Sequence, residues 1–186
     1  MSKKNSNVIL KEGFKNYKDL SYIYSSFKKK LSLFKKKPFL VAVSGGPDSL
    51  ALTALSKSYS HETKCKVHYV LIDHNLRKNS SSESKSVKKL LKKFKINLKI
   101  LKNEKSIKQN IQSQARSIRY NLLTTFCKKK GIKTILTAHN LEDQVETFFI
   151  RLSRGSGLQG LSSMKHINKI DHKISLVRPL LDFKKT

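Results

Sequence analysis

The chain has 186 residues, 40 Lys or Arg against 12 Asp or Glu, and a formal net charge of +28. The length suffices for one domain with a real core; no stretch approaches the roughly 20 apolar residues of a membrane span, and the basic N-terminus lacks the apolar centre of a secretory signal. The charge points to polyanionic partners, nucleic acid first, although a general lysine bias is a competing account, while the isolated Cys65 and Cys127 form no CxxC pair and argue against a disulfide framework or a cysteine metal site, as expected in the cytoplasm.

Residues 1–15 read as a flexible basic tail and 16–186 as one domain. Leu20, Ile23, Tyr24, Phe27, Leu31 and Phe34 recur at helical spacing and predict an amphipathic helix over 16–35. Strand and helix signals then alternate. FLVAV (39–43) predicts a buried strand and 48–58 a helix. KVHYVLID (66–73) predicts the next strand and 82–95 a lysine-rich helix. INLKIL (96–101) is a third strand. A long helical pattern over 108–130 stops at Gly131. KTILTA (133–138) is a fourth strand, 141–153 a further helix, RGSGLQGLSSM a glycine-bearing loop and ISLVRPLL (174–181) a last strand-like run. Continuous apolar strands alternating with helices imply an α/β fold: a doubly wound, mainly parallel sheet of about five strands with helices on both faces.

Such sheets bind ligands beyond the carboxyl ends of their strands. Three polar segments fall there: SGGPDS after the first strand, DHNLR after the second and AHNLEDQ after the fourth. In the first, Gly45 and Gly46 let backbone amides approach an anion closely. Pro47 suits a first helical turn, and the helix N-terminus aims its amides at that anion. Ser44 and Ser49 add hydroxyls. Asp48 beside an anion makes sense with Mg²⁺ between them; a tight turn capped by Asp48 is the competing account. Asp73, His74 and Arg77 end the second strand, where an adenosine would lie, unless Asp73 simply caps a turn.

The chain has 34 Lys but only six Arg: Arg77, Arg116, Arg119, Arg151, Arg154 and Arg178. All six fall in motif-like segments, as expected where a planar bidentate fork matters. Arg116, Arg119 and Tyr120 share roughly one helical face. Glu142, Asp143 and Glu146 concentrate three acids within five residues. Glu142 suits the helix dipole. Asp143 and Glu146 lie at i, i+3 and suggest a site for a cationic substrate. His139 with these acids lacks a further neutral ligand for zinc.

SGGPDS resembles the phosphate loop of the PP-loop ATP pyrophosphatases. These enzymes cleave ATP between the α and β phosphates and pass AMP to a carbonyl-type oxygen. SGGPDS, DHNLR, QARSIRY, the AHNLEDQVET–RGSGLQGL block and VRPLL, in that order, are together similar to the tRNA(Ile)-lysidine synthases. The resemblance covers roughly residues 20–182. It implies an adenine nucleotide alpha hydrolase-like fold. It implies ATP and Mg²⁺ as co-substrate and cofactor, and free L-lysine and an isoleucine tRNA with a CAU anticodon as partners. No membrane is implied, and a homodimer is left open. In that family ATP activates C2 of the wobble cytidine, and the lysine side-chain amine attacks it to give lysidine.

By position, the resemblance assigns Ser44, Gly45, Gly46, Pro47, Asp48 and Ser49 to ATP phosphates, with Asp48 near Mg²⁺. It assigns Asp143 and Glu146 to lysine; Asp73 and His74, from their strand-end position, are expected at the nucleotide, and Arg116 and Arg178 are expected to neutralise charge around the phosphates. The family block usually reads closer to AHHxDDQ; here Asn140 stands for a His and Glu142 for an Asp. Members normally continue past RPLL into helical tRNA-gripping domains, which are expected to be missing from this chain. Rival readings are a PP-loop tRNA thiolase, an enzyme that adenylates a metabolite, and an inactive RNA-binding module.

Overall fold

The computed structural model describes residues 18–76, 79–104, 110–157 and 161–185. The expected basic tail, Arg77 and Gly160 lie outside them. The order is α1 (Lys18–Ser32), β1 (Phe39–Val43), α2 (Pro47–Thr63), β2 (Val67–Asp73), α3 (Ser80–Lys93), β3 (Leu98–Lys102), α4 (Ile111–Lys130), β4 (Thr134–Leu136), α5 (Leu141–Ser153), β5 (Ile167–Asp171) and β6 (Ile174–Val177).

The sheet runs β3-β2-β1-β4-β6-β5. The first five of these are parallel and are the five expected strands. β5 is a sixth, antiparallel to β6 at the edge. It falls in INKID, whose side chains are exposed or half-buried, so no apolar run announces it. ISLVRPLL is strand only to Val177, and the chain then turns. Pro179 cannot donate to a ladder, which fits that stop.

Alternation along β1 feeds two cores. Phe39, Val41 and Val43 face α1, α2 and α3, packing with Phe27, Leu52 and Leu91. Leu40, with Val70 of β2 and Ile135 of β4, meets Leu123 and Cys127 of α4 on the other face. β1 is flanked by β2 on one side and β4 on the other. The chain leaves β1 toward β2 and later returns to β4, so the strand order reverses there and opens a crevice at the carboxyl ends.

Helix boundaries follow local chemistry. α2 begins at Pro47, which has no N–H to lose. It ends with Lys64 in the left-handed region. α4 stops at Gly131 (φ +65°), whose N–H donates to the carbonyls of Cys127 and Lys128. α5 differs from the other helices: none of its residues is buried. No helix among the described residues is long and apolar enough to cross a membrane.

Candidate functional site

A cavity of about 310 Å³ opens at the strand reversal, between the ends of β1 and β4. Ser44, Gly46, Asp48 and Ser49 form one wall, His74 and Arg119 another, and His139 and Asp143 the mouth. A second, wider cavity of about 680 Å³ adjoins it and shares His139 and Asp143. Arg116, Glu146 and Arg178 line this second space. The crevice therefore joins nearly all the expected side chains in two connected halves.

The loop after β1 is shaped by Ser49, which is 4% exposed. Its Oγ accepts from the N–H groups of Ser44 (3.2 Å) and Gly45 (3.1 Å) and donates to the Gly46 carbonyl (2.9 Å). The hydroxyl is thus engaged in holding the turn. Gly45 has φ +92°, and a Cβ there would stand 2.8 Å from Val87 Cγ2 of α3. Only glycine satisfies both constraints. The first-turn amides of α2 have no intrahelical acceptors and make an anion site at the cavity wall.

Asp48 faces the cavity, and its carboxylate meets Lys185 Nζ at 3.3 Å. Lys185 is brought there by its backbone N–H, which donates to Glu142 Oε2 (2.9 Å), and by Phe183, whose carbonyl accepts from Leu141 N–H (3.0 Å). Glu142 thus binds the C-terminal segment against the start of α5. Neither contact was visible in the sequence, because a residue more than 40 positions away makes it.

Asp73 is 2% exposed and does not line either cavity. Ser81 Oγ donates to its Oδ2 (2.7 Å) and the Asn75 N–H to its Oδ1 (3.0 Å). Burial pushes its carboxyl up. The bonds from Ser81 and Asn75, the nearby Ser80 hydroxyl and the charge of Lys102 outweigh burial and leave it below the usual carboxylate range. Both oxygens are engaged in closing the turn after β2. His74 beside it does reach the cavity. Its pKa is lowered by burial and by the Arg119 charge, against the opposing pull of Asp73.

Asn140 and Asp143 form a reciprocal cap on α5. The Asn140 side chain accepts from Asp143 N–H (3.0 Å), and Asp143 Oδ2 accepts from Asn140 N–H (2.9 Å). Asn140, unusual against the family pattern, is therefore well suited to its position. The cap holds Asp143 at the junction of the two cavities.

His139, considered in the sequence only as a metal ligand, also stands at that junction. Its Nδ1 lies 2.9 Å from Thr137 Oγ1. Burial, then the Arg178 charge, push its pKa down to about 4, with Asp143 opposing and Arg116 and Arg119 adding to the fall. It is a neutral imidazole at neutral pH. Among the described residues no group of three or more His, Cys, Asp or Glu could hold a metal.

Arg178 is 3% exposed. Its Nη1 donates to the Lys165 carbonyl (2.7 Å), while Nε has no hydrogen-bond partner among the described residues. Burial, and secondarily the nearby Arg116, lower its pKa, against Tyr120. A desolvated guanidinium beside a cavity is an anion receptor. Arg116 lies over the Tyr120 ring, 5.2 Å from its centroid, on the same side.

Comparison with known proteins places this geometry. Residues 18–186 match the PP-loop domain family. The chain is 42% identical over 154 residues to the tRNA(Ile)-lysidine synthase of Orientia tsutsugamushi (strain Boryong), covering 82% of this chain and 34% of that protein. It is also 42% identical over 149 residues to the tRNA(Ile)-lysidine synthase of Wolbachia sp. subsp. Brugia malayi (strain TRS), covering 78% and 34%. The chain spans about a third of the length of these relatives. Among solved structures, the U34-tRNA thiolase NcsA from Methanococcus maripaludis, with its 4Fe-4S cluster, aligns with a TM-score of 0.72 at 16% identity, covering 89% of this chain and 60% of that one. That likeness is one of fold. The family match itself runs from α1 through the β5–β6 hairpin and takes in every strand that builds the crevice, so the chain belongs to the PP-loop domain family.

Proposed function

We propose that this chain carries the ATP-activating and lysine-joining centre of a tRNA(Ile)-lysidine synthase. The cytidine C2 oxygen of an isoleucine tRNA with a CAU anticodon attacks the α-phosphorus of ATP, and pyrophosphate leaves. The side-chain amine of free lysine then attacks C2, loses a proton, and AMP leaves. The names of the two relatives at 42% identity support this reading. The observation that carries it is the pairing of opposite charge in one crevice. The buried guanidinium of Arg178, whose Nε has no hydrogen-bond partner among the described residues, lines the same cavity as the carboxylates Asp143 and Glu146.

In this proposal the Gly46 amide and the free amides of the α2 N-terminus hold the leaving pyrophosphate, while the Gly45 N–H stays engaged with Ser49 Oγ and shapes the turn. Arg178 and Arg116 stabilise charge that grows on the α-phosphate. His74, with the apolar strand ends, bounds the nucleotide. Asp143 and Glu146 receive the cationic lysine, and a carboxylate beside the attacking amine favours loss of its proton. Asp48 fits Mg²⁺. It is a partly exposed carboxylate at the phosphate wall and already attracts a cation, Lys185. The metal would neutralise phosphate charge there. A sulfur-transfer reading finds little support. Cys65 and Cys127 are buried in opposite cores, and burial pushes the Cys127 thiol up to about 12. The two free thiols suit a cytoplasmic setting.

The test is incorporation of radiolabelled lysine into unfractionated tRNA with ATP and Mg²⁺. We expect incorporation by the wild-type chain and its loss in Asp48→Ala and Asp143→Ala. We also expect Asp143→Ala to keep tRNA-dependent pyrophosphate release, because its carboxylate serves the second step. Pyrophosphate release without incorporation by the wild type would keep adenylation and reject lysine as the nucleophile for this chain. Absence of both would reject the proposal.

A further inference from the structure

The phosphate loop has no cation of its own. SGGPDS contains a carboxylate, Asp48, and neither lysine nor arginine. The amides of a helix N-terminus supply only about half a unit of positive charge. Among the described residues lining the first cavity, Arg119 alone carries a full positive charge at neutral pH, and it stands on the wall of His74 rather than on that of the loop. Pyrophosphate is a strongly charged leaving group, so the loop wall is short of cationic charge where the reaction needs it most.

A distant segment brings a cation there. Lys185 Nζ stands 3.3 Å from Asp48 Oδ2, at the rim of the cavity. Its backbone is held in place on both sides of Asp182 and Phe183. Leu141 N–H donates to the Phe183 carbonyl (3.0 Å), and Lys185 N–H donates to Glu142 Oε2 (2.9 Å). Asp182 accepts from Lys30 Nζ (2.7 Å) and lies 3.0 Å from His166 Nε2, and Lys30 also donates to the Pro179 carbonyl (2.9 Å). The ion pair that ends this segment is half exposed, and such a pair contributes little to stability. The anchoring therefore fixes where the ammonium stands rather than strengthening the fold. Glu142, which stands where the family pattern has a shorter Asp, supplies the anchor nearest to it. An ammonium has three donors on a flexible four-carbon stem, and one carboxylate does not exhaust them.

We propose that Lys185 is a further catalytic residue of the phosphate wall, whose ammonium contacts the leaving pyrophosphate, and that Glu142 is the positioning residue that holds its backbone there. Before the nucleotide arrives, the ammonium screens Asp48 from an incoming polyanion. As the bond from the α-phosphorus to the bridging oxygen breaks, the electron pair goes to pyrophosphate, and the ammonium offsets the growing charge without giving up a proton. Lys185 thus does from a distant segment what a phosphate-loop lysine does from within its own loop. The inference rests on the proposed adenylation, which puts pyrophosphate at this wall.

The test is titration calorimetry of the whole chain with inorganic pyrophosphate, ATP and AMP in turn, beside kinetics of tRNA-dependent pyrophosphate release. Lys185→Met should weaken pyrophosphate and ATP about tenfold and leave AMP, which lacks the leaving group, unchanged. Its kcat should fall as well, because the contact strengthens in the transition state. Lys185→Arg should restore most of both. Lys184→Met removes the same charge one residue away and should bind all three like wild type. Glu142→Ala should reproduce part of the loss, and Glu142→Gln, whose amide oxygen can still accept from the Lys185 N–H, should not. The thermal midpoint of Lys185→Met should match wild type. Unchanged pyrophosphate binding in Lys185→Met, with wild type binding both ATP and pyrophosphate, would overturn this proposal alone. An equal loss in Lys184→Met would assign the effect to the general field, an equal loss for AMP would move the contact off the pyrophosphate, and a lowered midpoint would make Lys185 structural; each overturns it. A wild type that binds neither ATP nor pyrophosphate would overturn it together with the adenylation reading.

Discussion

Arg178 is costly to the folded state. A guanidinium at 3% exposure, with Nε unpartnered and no ion pair to an acid among the described residues, loses hydration that its bond to the Lys165 carbonyl repays only in part. Replacing a buried, unpaired cation with an apolar side chain of similar length is neutral or stabilising. Arg178→Met should therefore hold or raise the midpoint of thermal unfolding while lowering kcat/KM for tRNA-dependent pyrophosphate release about 100-fold or more. A calorimetric scan beside the pyrophosphate assay checks both signs; a variant that loses stability and activity together would make Arg178 structural. His139 shows the same field through titration. Its folded pKa of about 4 lies below the ordinary imidazole value of 6.5, so the unfolded chain binds more protons between those limits. The stability it contributes is full above about pH 6.5 and is lost as pH falls toward 4. His74 and His68 are lowered as well and act in the same direction. Urea unfolding at pH 7.5 and pH 5 should show wild type losing up to ~2 kcal/mol more than His139→Gln over that interval.

The phosphate loop and α3 fit each other through one contact between elements. A methyl on Gly45 would strike Val87 and would also hold an L residue at φ +92°. Gly45→Ala should cost roughly 1–3 kcal/mol. Adding Val87→Ala removes the clash but not the backbone strain, so the double variant should recover only part of the loss. Full recovery in urea melts would show that contact alone demands glycine. The need for glycine was legible in SGGPDS; the partner that enforces it was not, since α3 arrives from more than 40 residues away. The same division runs through the fold. β1, β2 and β4 are continuous apolar runs buried on both sides, and their period and length announce them. β5 is a polar edge strand with Lys169 and Asp171, protected against further pairing by those charges, and it looks like a loop in sequence. At the site, residues at strand ends could be placed from sequence because topology alone puts them there. Side-chain direction could not. Asp73 turns inward to Ser81, while its neighbour His74 lines the cavity. Arg178 was suspected from scarcity of arginine, but its burial comes from the β5–β6 hairpin, whose first strand went unseen.

At the scale of the whole molecule, lysine and arginine are sorted along α4. α4 carries Arg116 and Arg119 at its N-terminal end, beside the crevice, and Lys128, Lys129 and Lys130 at its other end. Roughly 20 Å of helix separates Arg116 from Lys129 and Lys130. That is more than two Debye lengths at physiological salt, about 8 Å each. Lysines so far from the crevice can draw a polyanion in at low ionic strength, but they do not reach the phosphates held inside the crevice itself. Contacts, not net charge, set how steeply affinity falls with salt. If the crevice seats a tRNA, a plot of log affinity against log salt should give a slope of magnitude below about 10, far short of 28 released counterions. Lys129→Gln with Lys130→Gln should slow association at low salt and leave that slope unchanged. Arg116→Ala should reduce it by about one, the share of a single phosphate. The reverse pattern, with the lysine pair changing the slope and Arg116 not, would move the RNA off the crevice and onto the lysine-rich end of α4. The proposed adenylation would then have no bound substrate at the phosphate loop, because the loop and Arg116 lie at the same end of the sheet.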